Sequence, residues 1–341
     1  MKINPQKLLA QAQRFLKNSD FEEAKKTFLA VLEAYPKSSV AKKGLKDLEK
    51  NINLKIQKSI TKEELNSVYF LYSSGKFQEA IDTINDLHKD YPNIPIFFNI
   101  LGACYQSLGQ LQNAIKAFEA AIIAKPNYDE AYFNLGVVMK RAGELSGAIK
   151  SYKNAIEIKP NYPEAYNNLG TALKEDGQLK SAIENYEWAI AYKPDFAQAH
   201  NNLGNILMGS GKLDDAIKSY EQAIASNSEY AEPYNNLGNA FKQLGNLEDA
   251  IKNYEMALKI NPKFVEAHLE LSRIKKYNKN EPQILNMKSM LTEKNISLIN
   301  RIGINFALAH VFECLDNQND QFKFLNEANS LRKKELNYSF D

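Results

Sequence analysis

Residues 164–194 read EAYNNLGTALKEDGQLKSAIENYEWAIAYKP, and residues 130–160 read EAYFNLGVVMKRAGELSGAIKSYKNAIEIKP, the same text at an offset of 34 residues. The frame extends in both directions. One glycine recurs as Gly102, Gly136, Gly170, Gly204 and Gly238, and a second follows as Gly109, Gly143, Gly177, Gly211 and Gly245. An alanine comes next in every copy (Ala114, Ala148, Ala182, Ala216, Ala250), then an aromatic: Phe118, Tyr152, Tyr186, Tyr220, Tyr254. Self-similarity at a fixed period marks a solenoid whose units bury their apolar faces only by stacking.

Within one unit, Tyr166, Leu169 and Leu173 stand at helical spacing, and so do Leu179, Ala182, Ile183, Tyr186 and Ala189. The glycine between the two runs supplies the left-handed residue that closes a helix without steric cost. Pro126, Pro160, Pro194 and Pro262 stop the second run. The unit is therefore two antiparallel helices joined by a tight turn, and the fold is all-α. Gly170, Ala182 and Ala189 fall on the apolar faces, where small side chains let helices approach closely.

The composition excludes several classes. The 341 residues carry 43 Lys+Arg against 41 Asp+Glu, a formal net charge of +2, which gives no electrostatic reason to expect nucleic acid or an anionic membrane as partner. The longest apolar stretch, IPIFFNILGACY, falls short of the roughly 20 residues that span a bilayer, and no signal peptide opens the sequence. A soluble protein of the cytoplasm is the expectation. Cys104 and Cys314 lie far apart, with neither a disulfide framework nor zinc spacing. No phosphate-binding glycine loop and no nucleophile or metal set is present, so neither catalysis nor a cofactor is expected. Asp214 and Asp215 read as solvated, and His200 and His268, standing where other units carry Tyr132, Tyr166 and Tyr234, read as core residues.

The pattern of large apolar residue, Leu-Gly, aromatic, alanine, aromatic, alanine and proline resembles the tetratricopeptide repeat. The resemblance implies a right-handed superhelical solenoid with the first helix of each unit lining its concave side. It covers residues 61–264 as six units, most regularly residues 95–264, with a separate unit at residues 5–38 anchored by Ala12, Ala24, Phe28 and Pro36. Between them, residues 39–60 place Leu45, Leu48, Ile52 and Ile56 at helical steps, an amphipathic linking helix. Thr61 and Glu64 have capping-box spacing. Pro233 falls in the first turn of a helix, where its missing amide is tolerated.

The first helices carry columns of asparagine: Asn134, Asn168, Asn202 and Asn236, preceded by Asn167, Asn201 and Asn235, and followed a turn later by Asn205 and Asn239, then Lys140, Lys174 and Lys242. Asparagine is a mediocre helix former, so such columns call for a reason beyond solubility. Its amide both donates and accepts, and a row of amides can grip the backbone of an extended peptide. The arrangement resembles the asparagine ladder in the repeats of intracellular O-GlcNAc transferases, which implies a protein or peptide partner in the concave groove. Descent by duplication is the alternative origin of the columns. The basic clamp by which other tetratricopeptide domains hold a terminal carboxylate is not matched, the inner positions being Asn99, Phe133 and Asn167.

Residues 265–341 form a degenerate helical region with a repeat-like unit near residues 302–335, keeping Leu308, Ala309, Phe312, Leu325 and Ala328 but with Gln321 where alanine belongs. Phe306, Ala307, Leu308, Asp316, Ala328, Asn329, Leu331, Arg332 and Tyr338 resemble the junction between repeats and catalytic domain in bacterial tetratricopeptide-linked sulfotransferases. That resemblance implies an alternative function, the substrate-recruiting arm of a larger transferase (less readily a glycosyltransferase) whose catalytic domain lies outside these residues.

Overall fold

The computed structural model describes residues 5–17, 20–56 and 60–336, with the side chains of residues 49–56 left out of the description. Among the described residues every regular element is a helix. They form two bodies, residues 1–151 and residues 152–341, divided within the helix Leu145–Ile158.

In the first body, α1 (Pro5–Lys17) and α2 (Phe21–Ala34) pair, and α3 (Ser39–Ile56) packs against them as one continuous helix. Contact runs through Ala41 and Gly44: a Cβ on Gly44 would lie 2.4 Å from the ring of Phe28. Ala41 and Leu45 stand as far beyond Pro36 as Ala165 and Leu169 stand beyond Pro160. The linking segment thus docks on its neighbour as the first helix of a unit does, and the side chains of Ile52 and Ile56 lie outside the described residues. Thr61 caps α4 (Lys62–Ser73) in a capping box, its Oγ1 accepting from the Glu64 amide at 3.2 Å while its own amide donates to Glu64 Oε2 at 2.9 Å. Then follow α5 (Phe77–Asp90), α6 (Pro95–Ser107), α7 (Leu111–Ala124), α8 (Asp129–Arg141) and the start of α9 (Leu145–Ile158).

The second body continues with α10 (Pro163–Glu175), α11 (Leu179–Tyr192), α12 (Ala197–Gly209), α13 (Leu213–Ser226), α14 (Ala231–Gln243) and α15 (Leu247–Ile260). The turn after α10 shows why a second glycine recurs. Gly177 has φ +78°, its amide donates to the Lys174 carbonyl at 3.1 Å, and the Gln178 amide reaches back to Leu173 at 2.8 Å. This is a Schellman motif, which satisfies carbonyls left over at the helix end. The inner glycine serves a different purpose: a Cβ on Gly170, Gly204 or Gly238 would lie 2.6–2.8 Å from the ring of Tyr186, Tyr220 or Tyr254 on the second helix. Those rings are fully buried.

Beyond α16 (Val265–Ile274) the pattern changes. α17 (Pro282–Thr292), α18 (Leu298–Cys314) and α19 (Gln318–Glu335) follow, and α16 packs directly on α18, where a Cβ on Gly303 would meet Val265 Cγ1 at 2.6 Å. α17 lies against α18 through Ile284, Met287 and Met290, all in one core with Leu308 and Phe312. The last helix pair begins at Leu298, ahead of the start read from the period. Asp316 takes the left-handed turn position with φ +53°, and Phe312 and Phe324 stack with centroids 5.6 Å apart. Tyr338 lies outside the described residues.

Candidate functional site

The asparagine columns lie on the first helices, and successive first helices are stitched together by them. In the second body, Asn202 Nδ2 donates to Asn167 Oδ1 at 3.0 Å, and Asn236 Nδ2 donates to Asn201 Oδ1 at 3.0 Å. In the first body, Asn134 Nδ2 donates to Asn99 Oδ1 at 3.1 Å. Each bond joins one unit to the next with the same donor and acceptor positions. Asn167, Asn201 and Asn235 are buried, between 4% and 5% exposed, so these three do not line an open groove. Asn168, Asn202 and Asn236 are half-buried.

The series ends at a defined residue. The position that would donate to Asn235 is occupied by Glu270, which has no N–H to give, and Asn235 Oδ1 is a buried acceptor without a partner. Glu270 is engaged instead by Lys242 and, at 2.6 Å, by Arg273.

Asn205 and Asn239 have a second role that the sequence reading missed. Tyr220 donates its hydroxyl to Asn205 Oδ1 at 2.9 Å, Tyr254 donates to Asn239 Oδ1 at 2.7 Å, and Tyr186 donates to Thr171 Oγ1 at 3.1 Å. A buried phenol needs an acceptor, and this column provides it. Burial pushes the Tyr186 hydroxyl up to about 12 and raises those of Tyr220 and Tyr254 further, so all three remain neutral donors. Tyr152 bonds to Asn168. The signal was present: where the aromatic is Phe118, the column holds Ala103.

In the second body, two carbonyls of the columns are both unbonded and not buried. Asn202 and Asn236 spend an amide N–H on the neighbouring unit, while their Oδ1 atoms make no hydrogen bond in the protein and are not buried. Lys140 and Lys174 flank this face half-buried, as does Lys242 beside Glu270.

His200 and His268 are core groups. His268 is 1% exposed; its Nε2 donates to the Pro262 carbonyl at 2.9 Å and its Nδ1 accepts from Gln283 Nε2 at 3.1 Å, which fixes the neutral tautomer. Burial lowers its pKa, outweighing the backbone bond. His200 repeats the contact, to the Pro194 carbonyl at 2.9 Å. Among the described residues no cluster of three or more His, Cys, Asp or Glu could hold a metal, and no helix is long and apolar enough to cross a membrane.

Tetratricopeptide-repeat family models match residues 8–38, 102–143, 140–177, 170–211, 204–245 and 231–264. The chain belongs to the tetratricopeptide-repeat family. Solved structures with this fold include the C-terminal part of a TPR repeat-containing protein from Cytophaga hutchinsonii (19% identity, 70% of this chain and 98% of that one, TM-score 0.53). The Cut9–Hcn1 hetero-tetramer of the APC/C is similar over 94% of this chain and 55% of that one, at 18% identity and TM-score 0.52. MamA is 29% identical over 48% of this chain and 95% of its own, with TM-score 0.45. No curated protein matches the sequence. In the tetratricopeptide units here, asparagine bonds join the first helices α6 to α8, α10 to α12 and α12 to α14.

Proposed function

We propose that this tetratricopeptide-repeat chain is a protein-binding scaffold that holds an extended segment of a partner along its first-helix face, and that it does so without chemistry of its own. The observation that supports this reading is the state of the outer asparagines. Their N–H groups are tied to the neighbouring unit, which fixes the side chains, while the carbonyls of Asn202 and Asn236 stay open as acceptors. Acceptors held at repeat spacing suit the backbone N–H groups of an extended chain, each bond contributing about 1 kcal/mol net. Preorganised groups lose little entropy on binding.

The test must separate recognition from folding. Changing Asn168, Asn202 and Asn236 to Ala alone would orphan the buried acceptors Asn167 and Asn201. The informative variant also changes Asn167, Asn201 and Asn235 to Leu, because removing both partners of a hydrogen bond is nearly neutral. Peptides selected from a random-sequence library on the immobilised full chain serve as probes. Losing the two open acceptors, at Asn202 and Asn236, predicts an affinity drop of about thirtyfold. Lys150, Glu184 and Lys218 changed to Ala form the control on the second helices. Selected peptides that bind the six-site variant as tightly as the parent would sink the proposal.

A further inference from the structure

Where the repeat period breaks, the structure contains a cavity. It has a volume of 430 Å³ and lies between the foot of α17 and the α18–α19 turn. Ile284 and Phe312 form its floor, 5% and 6% exposed, and Leu315 stands at its side. Leu285 stands at the mouth, 71% exposed. A large aliphatic side chain held so openly beside a pocket leaves apolar surface that a molecule confined to the cavity would not cover. A polypeptide running across the mouth would.

The rim carries two lysines. Lys279 and Lys288 both line the cavity, and Lys288 Nζ sits 5.0 Å from the centroid of the Phe312 ring. Neither lysine forms an ion pair among the described residues. The one carboxylate in the lining, Glu281, is already engaged: its Oε1 by Lys275 at 2.7 Å and its Oε2 by Asn278 Nδ2 at 2.9 Å. The cavity therefore has an apolar floor beneath two lysines without ion-pair partners, within the size range that takes a bulky side chain.

We infer that this cavity is a second docking site, which takes an acidic segment of a partner protein by inserting one apolar side chain while flanking carboxylates pair with Lys279 and Lys288. The site is independent of the asparagine face, since it shares no residue with it. Charge pairing at the rim governs association rate and salt sensitivity, and the buried anchor governs residence.

The test is fluorescence anisotropy on the full chain with a labelled peptide of one phenylalanine flanked by two aspartates on each side, its ends neutral. Comparators replace the phenylalanine by alanine or the aspartates by lysines. Saturable binding of the first peptide is expected, at least tenfold tighter than either comparator and weakening as salt rises. Lys279→Glu with Lys288→Glu should weaken it at least tenfold, and so should Leu285→Asp; all three side chains are exposed, so the variants should melt with the parent. The six-site asparagine variant should bind as the parent does. Equal or absent binding of the three peptides, or undiminished binding by the charge-reversed variant, overturns the proposal. So does loss of binding in the asparagine variant alone.

Discussion

Replacing Gly170 by leucine places a Cβ 2.8 Å from Cε1 and 2.9 Å from Cδ1 of Tyr186, and 3.1 Å from the Ala182 carbonyl oxygen. Either the ring moves or α10 separates from α11. The ring is held, because Tyr186 is fully buried and its hydroxyl donates to Thr171 at 3.1 Å. Overpacking costs about 1–3 kcal/mol and breaking the hydroxyl bond about 1 kcal/mol more, while removing glycine from a helix interior returns about 0.8 kcal/mol. The expected net loss is about 1–3 kcal/mol. Urea denaturation reads the total, and hydrogen exchange should show lost protection centred on α10 and α11 and spreading to α12, since solenoid stability resides in neighbouring interfaces. In a Tyr186→Ala background the same leucine should cost almost nothing further, because it enters space the ring has left. Additive losses in the two backgrounds, or a Gly170→Leu chain that unfolds with the parent, would refute the reasoning.

Asn235→Leu should stabilise the chain by about 1 kcal/mol in urea denaturation, since it removes a buried acceptor without a partner, whereas Asn201→Leu should destabilise it by a similar amount because Asn236 loses one of its two acceptors and Tyr230 loses the amide that donates to it. Asp316→Gly relieves a left-handed residue at φ +53° and should raise stability by about 0.5–1 kcal/mol in the same assay. Burial lowers the pKa of His268 below its ordinary 6.5, so the unfolded chain takes up the proton first and stability is lost as pH falls below about 6.5. His268→Tyr, the residue of other units, should flatten that acid limb in melting curves taken between pH 5 and 7, leaving the contribution of His88, which burial also lowers.

The repeat was legible because each of its positions answers one local physical need: a left-handed residue at Gly177, a space for a ring at Gly170, a stop at Pro194. The capping box at Thr61 and Glu64 was legible for the same reason, its partners being three residues apart. What the sequence did not disclose depends on partners a whole unit away. The bond from Asn236 to Asn201 spans 35 residues, so the inner asparagines read as groove residues when they are buried acceptors. The Tyr220–Asn205 bond spans 15 residues and was equally hidden, although the pairing of Phe118 with Ala103 carried its trace. The α17 cavity has no periodic signature at all, because it arises where the period ends.

The asparagine bond also bears on how such an array changes length over generations. Donor and acceptor sit at the same two positions of every unit from Asn167 to Asn236, so unequal recombination that removes or copies one whole unit within that span rebuilds the same junction at the scar. A slip by any other number of residues misaligns donor and acceptor and leaves an amide stranded in the interior. The interface thus acts as a filter on copy-number variation, passing whole units only. Glu270 marks where that freedom stops, because a duplicate carrying it inward would reproduce the buried acceptor left without a partner at Asn235.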